Sequence, residues 1–359
     1  MKPLFDALPA DRPIWDSSRD NRLICCGVRL ETSDAKTYVF APATPARFVF
    51  LPGQYMNLTF DIGSESVERC YSIASAATNE ARVAITVKRK PNGRISNWLF
   101  NQMRVGSTVR ASGALGSFTP VEINANKILL LSAGSGITPV MSMLRTFASL
   151  GVDSDIAFLH YARALDEVIF RGELEHLARQ MPQLRLNLVT TGPGASQSAR
   201  PPLGRITRQT LLDLAPDIAE RAVFCCGPEG FMEVARESSL SNGVPTNSYF
   251  EEHFVLPPDG SFDDVPEAKY TAISFSVRFN KQDRVFDCPA TATLLKAAQL
   301  AKIPIPSSCQ RGICGTCRTK MVSGTVDMRH AGGIRPRDIE KGFILPCCSR
   351  PTSNVVLDR

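Results

Sequence analysis

Histidine is scarce in this chain, with only His160, His176, His253 and His330 among 359 residues. None lies two positions after a cysteine, so a Rieske-type cluster with two imidazole ligands cannot be assembled locally. Histidine-rich zinc catalysis is equally unsupported. Long apolar runs are missing too: "ILLL" at 128–131 is far too short to cross a bilayer. The opening "MKPLFDALPADRPIWD" has no apolar core behind its lysine, which argues against a secretory signal and for a cytoplasmic chain. Repeats and low-complexity tracts are lacking as well.

Cysteine, in contrast, is plentiful. Eleven thiols in a reducing compartment make disulfides the poorer reading and metal binding or reactivity the better one. The length exceeds one typical domain, so two or three are expected, each able to bury its own core. Charge is unevenly spread. Residues 1–270 carry 27 Lys and Arg against 29 Asp and Glu, whereas residues 271–359 carry 14 against 6, a net of +8. That basic surplus is scattered and has no aromatic-rich run of the kind RNA binders use, so nucleic acid is not the expected partner. Part of it offsets the negative charge that four thiolates would bring to a metal centre.

The chain reads as an N-terminal stretch, residues 1–20, and three larger segments. Residues 21–122 read as short strands broken by turn signals, "LICCGVRL", "KTYVFAP", "YMNLTF", "RVAITVKR" and "STVRASG", which suggests a small antiparallel β-barrel. In the N-terminal stretch, "RPIWD" is placed to pack against that barrel. Residues 123–254 change rhythm. "KILLLSA" reads as a buried parallel strand, then come a glycine turn and "PVMSMLRTFASL", with Val140, Met143, Leu144 and Phe147 on one helical face. Pro139 suits the first helical turn. Further strands at "DIAFLHY", "LRLNLVT" and "RAVFCCG" alternate with helical spacing, the pattern of an α/β doubly wound sheet. Residues 255–270, proline-rich and acidic, have the composition of a linker. Residues 271–359 form a separate unit that starts with strand-like "YTAISFSVRF".

This last unit holds "PSSCQRGICGTCRTK" and, further on, "ILPCCSRP". Cys309, Cys314 and Cys317 are separated by four and two residues, and Cys347 follows after twenty-nine. That spacing is the one used for plant-type [2Fe–2S] ligation. Glycines between the ligands let backbone amides point at sulfur where a Cβ would crowd. A structural zinc favours paired C-x₂₋₄-C units, and only one such pair is present. The sequence around the ligands resembles a plant-type ferredoxin domain, of α+β β-grasp fold. In that resemblance Cys347 takes the ligand position and Cys348 is its neighbour.

A cluster of this kind accepts single electrons, so a donor must split the two-electron hydride of a nicotinamide, which is flavin chemistry. In "ERCYSIASA", Arg69 offers a fork of donors to a diphosphate, Tyr71 a ring and Ser72 a hydroxyl, although a plain strand with a surface arginine is an equal reading. "VKRKPNGRISNWLF" sets Gly93 and Ser96 just ahead of a helix whose amides would face a phosphate, or else it is an ordinary helix start. "LLSAGSGITPVMSM" lacks G-x-G-x-x-G but is still a strand, a small-residue turn and a helix N-terminus. "VFCCGPEGFM" puts Cys226, Gly227 and Pro228 at the strand edge where open sheets bind ligands, while a buried strand end is the expectation for at least one of Cys225 and Cys226.

Taken in order, "RCYS", "GRIS", "AGSGITP" and "CCGPEGFM" resemble the ferredoxin–NADP⁺ reductase superfamily, joined to the ferredoxin domain. The resemblance implies FAD on the barrel, held by Arg69, Tyr71, Ser72, Lys88, Gly93 and Ser96; FMN is the alternative. It implies NAD(P)H at Gly134, Ser135, Gly136 and Thr138, with Cys226 beside the nicotinamide. "YFEEHF" looks like the ending of the reductase module, which sets Glu252 and Phe254 along the flavin. Arg163 and Arg171 either face a coenzyme 2′-phosphate or are solvated helix charges; the acidic "DE" after Tyr-x-Arg is similar to NADH-using relatives, so NADH is favoured over NADPH. Within the superfamily the layout looks most like the reductase components of glycine betaine monooxygenase, which serve Rieske oxygenases that demethylate quaternary amines. Hybrid cluster protein reductases come second and reductases of aromatic-ring oxygenases third. The basic cluster domain then implies an acidic docking patch on the oxygenase. A redox sensor without turnover is the reading from another class, and it leaves two cofactor sites without a use.

Overall fold

The computed structural model describes residues 12–121, 123, 125–192, 204–254, 274–301, 303, 305, 312, 315, 317–330, 333–334 and 336–359. By its internal contacts the chain divides into two units, residues 1–254 and 255–359. The linker expected at 255–270 lies outside the described residues.

The first unit opens with an antiparallel sheet. Its strands are β1 (Arg22–Thr32), β2 (Ala35–Pro42), β3 (Tyr55–Ile62), β4 (Glu65–Ser72), β5 (Val83–Lys88) and β6 (Thr108–Ala111), with helix α1 (Arg94–Gln102) between the last two. The order is β4-β3-β6-β1-β2-β5. Alternating side chains such as Leu23, Phe40, Leu58 and Ile85 point inward and form one core. Ile73, just past β4, bridges Ile85 of β5, and the Ala74 amide donates to the Ala84 carbonyl at 2.7 Å. The two outer strands therefore meet and the sheet curls into a barrel. The N-terminal segment does pack on it: Ile14 bridges Arg47, and Trp15 lies 5.3 Å from the Phe48 ring.

The parallel sheet of this unit comprises β7 (Lys127–Ala133), β8 (Asp155–Ala162), β9 (Leu184–Thr190), β10 (Ala222–Cys226) and β11 (Tyr249–Glu252). Helices α2 (Ile137–Leu150), α3 (Arg171–Gln180), α4 (Arg208–Leu214) and α5 (Glu229–Ser241) alternate with the strands. The order β11-β10-β7-β8-β9 makes this a doubly wound sheet whose direction of building reverses between β7 and β10. Successive residues face opposite ways: Leu130, Phe158 and Phe224 go to one core, Leu129, Leu159 and Val223 to the other. Cys225 and Cys226 follow the same rule, and both are fully buried. Helix α2 departs from its expected single apolar face. Ile137 to Leu144 are all buried, because the sheet covers one side of the helix and the barrel covers the other.

The second unit contains β12 (Ser274–Phe279), β13 (Arg284–Pro289), α6 (Leu294–Leu300), β14 (Thr319–Ser323), β15 (Val326–Met328), α7 (Pro336–Glu340), β16 (Phe343–Ile344), β17 (Ser349–Pro351) and β18 (Val355–Leu357). The main sheet runs β13-β12-β18-β14-β16, with β12 and β18 parallel, and β15 pairs β17 separately. Thr293 caps α6 by accepting from the Lys296 amide at 3.3 Å. The helix then presents Leu294, Leu295, Ala297 and Ala298 to a core shared with Val277 and Phe279. A mixed sheet wrapped around one helix is the β-grasp arrangement expected.

Candidate functional site

Strand β4 carries the Arg69–Ser72 motif along the barrel edge. Tyr71 pairs with Met56 across the ladder, and its ring meets Phe60 edge-on at 6.1 Å, with Trp98 of α1 beyond at 5.8 Å from Phe60. Burial pushes the Tyr71 phenol up, so it stays protonated. Ser72 is buried and Arg69 half-buried, its Nη1 donating to the Glu68 carbonyl at 2.8 Å. Gly93 caps α1, and a Cβ there would come within 2.6 Å of Ser96 Oγ. The helix begins at Arg94, so Ser96 lies inside its first turn and not ahead of it. The Ser96 hydroxyl accepts from the Lys90 amide at 3.1 Å and donates to the Gly93 carbonyl at 3.3 Å. Asn97 Nδ2 donates to the Gly93 and Lys90 carbonyls. Side chains thus satisfy the loop's carbonyls, and a helix start, whose first amides lack intrahelical acceptors, is an arrangement that can receive an anion.

Lys88 ends β5 between two carboxylates, 3.3 Å from Asp34 and 3.2 Å from Glu167. Glu167 also accepts from Arg163 Nε at 2.9 Å. Arg163 is therefore ion-paired beside the barrel seam. Arg171 pairs with Glu175 one turn along α3 at 2.8 Å, a solvated helix pair.

The ends of β7 and β10 meet at the topological switch point. After Ala133 the chain makes a tight turn, Gly134 at φ 54° and Gly136 capping α2. A Cβ on Gly136 would stand 2.2 Å from the Cys226 carbonyl oxygen, and one on Gly227 would stand 3.1 Å from Ala133 Cβ. Backbone thus packs closely at the two strand ends, and Thr138 Oγ1 donates to the Ser135 carbonyl at 3.1 Å. Pro228 caps α5 directly after. Across the sheet, Glu252, Cys226, Ser132 and His160 stand in one row. Burial, reinforced by the Glu252 carboxylate, raises the Cys226 thiol well above its usual range. Cys226 is therefore a neutral thiol and not a nucleophile. Glu252 is nearly buried, while Phe254 is 41% exposed. Behind them Phe250 stacks on Phe224 at 4.9 Å.

Ser132 and His160 were not singled out by the sequence as site residues. Ser132 Oγ lies 2.8 Å from His160 Nδ1, and His160 Nε2 is buried without a hydrogen-bond partner. Burial, and to a lesser degree the charge of Lys88, push this imidazole down to about 3. A histidine inside a strand reads as core, so only its rarity marked it.

In the second unit Cys317 and Cys347 are both buried. The Gly312 amide donates to Cys347 Sγ at 3.2 Å. Gly312 has φ 73° and Gly315 φ 71°, and a Cβ on Gly312 would fall 2.6 Å from Cys348 Sγ. A buried thiol that receives an N–H, on a loop only glycine can make, fits a thiolate ligand of an iron–sulfur cluster. Cys309 and Cys314 lie outside the described residues.

Known proteins show the same three parts. A family model described as an oxidoreductase FAD-binding domain matches residues 28–119, an oxidoreductase NAD-binding domain matches 130–237, and a 2Fe-2S iron-sulfur cluster binding domain matches 277–352. The glycine betaine monooxygenase reductase subunit of Chromohalobacter salexigens is 37% identical over 98% of both chains. The stachydrine N-demethylase reductase subunit of Rhizobium meliloti is 34% identical over 91% of this chain and 93% of its own. Phthalate dioxygenase reductase, whose structure is described as modular for electron transfer from pyridine nucleotides to [2Fe-2S], shares the fold. Its TM-score is 0.56 at 24% identity, covering 96% of this chain and 100% of that one. No helix among the described residues is long and apolar enough to cross a membrane. The chain belongs to the ferredoxin–NADP⁺ reductase-type flavoproteins with a C-terminal [2Fe–2S] domain that act as oxygenase reductase components, and it is an oxidoreductase whose cofactors are FAD, NADH and a [2Fe–2S] cluster.

Proposed function

We propose that the protein takes hydride from NADH and delivers electrons one at a time to a Rieske-type oxygenase that demethylates a quaternary amine. The observation that carries the nicotinamide half is the crevice where Gly136 packs against the Cys226 carbonyl. The relatives named for glycine betaine and stachydrine support the substrate class. When bound, FAD supplies the conversion of a two-electron donor into single electrons that the cluster accepts.

The chain's own residues divide that work. Arg69 and the first-turn α1 amides between Gly93 and Ser96 hold the FAD diphosphate, and Lys88, ion-paired to Asp34 and Glu167, borders that site. Tyr71 lies against the flavin ring and Ser72 near its reactive edge. The amides of Gly134 to Gly136, with Thr138, hold the coenzyme pyrophosphate at a helix N-terminus. Cys226, Gly227 and Pro228 border the nicotinamide, and the neutral thiol leaves the hydride acceptor free of a competing charge. Glu252 and Phe254 close the flavin side. Cys309, Cys314, Cys317 and Cys347 hold the iron as thiolates, a state a reducing cytoplasm maintains.

Four of the six carboxylates in residues 271–359 are already matched: Asp283 with Arg278, Asp327 with Arg329, Asp338 with Arg318 and Asp358 with Lys281. The basic surplus therefore remains for a partner, and an acidic docking face on the oxygenase is expected. Anaerobic titration tests the reading. NADH bleaches flavin and cluster absorption without a partner, more effectively than NADPH, and transfer to the oxygenase slows as ionic strength rises. A chain that keeps its colour with both nucleotides overturns the enzyme reading; salt-independent transfer overturns the docking face.

A further inference from the structure

Helix α2 leaves the coenzyme turn, yet its second face is bonded to the barrel. Ser142 Oγ donates to the Ser75 carbonyl at 2.7 Å, Arg145 Nη1 to the Ala74 carbonyl at 2.5 Å, and the Ala77 amide donates to Thr146 Oγ1 at 2.9 Å. Thr78 and Ser149 join their hydroxyls one turn further on, at 2.8 Å. Ser142, Thr146 and Ser149 recur at helical spacing, so the polar stripe follows one groove. Its partners are one stretch, residues 74–78, which leaves β4 immediately after the Arg69–Ser72 motif.

Arg145 is itself held tightly. Its Nε and Nη2 donate to both oxygens of Glu173, at 2.7 and 2.6 Å, and the guanidinium lies 4.5 Å from the Phe170 ring centroid. Phe170 is buried with φ 63°, a conformation rare for a bulky side chain, and in it the ring forms a shelf for the arginine. Burial pushes the Glu173 carboxyl up, but the Arg145 hydrogen bonds and charge outweigh it and hold Glu173 below its usual range. The guanidinium fork therefore points one way only.

We propose that Ser142, Arg145 and Thr146 are positioning residues: α2 is a strut that fixes the coenzyme turn relative to the flavin motif, and so sets the hydride-transfer geometry without touching either cofactor. The inference rests on the assignment of NADH to the Gly134–Thr138 turn and of FAD to the barrel. Ser142 is five residues into the helix from Ile137, about 8 Å along its axis, so little slack lies between the bond and the turn. Hydride transfer needs its reacting atoms about 3–3.5 Å apart, and a displacement of about 1 Å costs about 100-fold.

The test uses the FAD-loaded full chain with Arg145→Gln, Arg145→Lys, Ser142→Ala and Thr146→Val. Anaerobic single-turnover reduction by NADH separates the limiting rate from the half-saturation concentration. Hydrogen exchange at the Ala77 amide reads the strut without turnover. Arg145→Gln is expected to lower the limiting rate about 10- to 100-fold with half-saturation within about threefold of the parent. Arg145→Lys recovers part of that loss, since one donor can still reach the Ala74 carbonyl, and Thr146→Val accelerates Ala77 exchange. A parental limiting rate in Arg145→Gln with full FAD content overturns the proposal, as does a loss confined to half-saturation. If Arg145→Gln fails to fold, parental limiting rates in both Ser142→Ala and Thr146→Val overturn it. A parent chain that NADH does not bleach instead refutes the site assignments, a separate result.

Discussion

The turn proposed for the coenzyme and the loop proposed for the cluster both depend on glycine, but the missing side chain would meet a different obstacle in each. Gly136 has ordinary helical angles, with φ −64°, that any residue adopts; what excludes a Cβ is the Cys226 carbonyl at 2.2 Å. Gly312 has φ 73°, so the backbone curvature itself demands glycine, and that curvature aims its N–H at Cys347 Sγ. The first glycine brings two strand ends together, and the second turns a donor toward a sulfur. One glycine is required by close packing against a distant strand end, and the other by its own left-handed backbone, which turns its N–H toward a sulfur in a distant segment.

Gly136→Ala should therefore break the first site and spare the second. The added methyl forces the turn away from β10, and NADH-dependent flavin reduction is expected to fall at least about 100-fold, because displacements of about 1 Å are enough for that. Iron and FAD per chain stay at parental values. Reduction at the parental rate would remove the packing argument. Cys347→Ser should do the reverse, abolishing cluster absorption while NADH still bleaches the flavin, and Cys348→Ser keeps the cluster. An intact cluster in Cys347→Ser would exchange the roles of the two neighbours.

Gly312→Ala is a finer probe of the same contrast. A left-handed angle costs a non-glycine residue about 1–2 kcal/mol, and the methyl also presses on Cys348 Sγ at 2.6 Å. Partial loss of iron and faster loss on dilution with a chelator are expected, with flavin reduction unchanged. Equal iron retention in parent and variant would show that the loop tolerates the substitution.

What the sequence revealed divides in the same way between local and distant contacts. "KILLLSA" coincides with β7, because a strand buried on both faces has to be apolar throughout, whereas "LRLNLVT" coincides with the edge strand β9, where Leu184, Leu186 and Leu188 alternate with Arg185 and Asn187. The cysteines expected to hold the cluster were singled out by spacing, three of them within residues 309–317 and Cys347 twenty-nine residues further on. Contacts between distant segments were not. Lys88 and Glu167 are 79 positions apart, so the sequence displays their charges without their pairing. Arg163 looked available for a phosphate for the same reason. In α2 the apolar stripe was visible, but nothing in the sequence marked Ser142, Arg145 and Thr146, whose partners come from the barrel.

The smallest effect concerns His160, the buried member of the Glu252–Cys226–Ser132 row. Its folded value is about 3, against 6.5 for a free imidazole. Below about pH 6.5 the unfolded chain takes up a proton that the folded chain refuses, so stability falls as pH drops toward the folded value, by at most about 1.4 kcal/mol per pH unit. Carboxylates held low by arginine, such as Asp155 and Glu173, also lose their contribution in acid. Their loss comes at lower pH, below the ordinary carboxylate range, and it is common to parent and variant. Comparing the parent with His160→Gln isolates the imidazole. Between about pH 6.5 and 5.5 the parent should lose about 1 kcal/mol more than the variant in denaturant unfolding of the flavin-containing unit. Parallel pH curves would mean that the imidazole reaches solvent or a proton donor in the folded chain. That would place water or a proton donor in the row behind the crevice proposed for the nicotinamide.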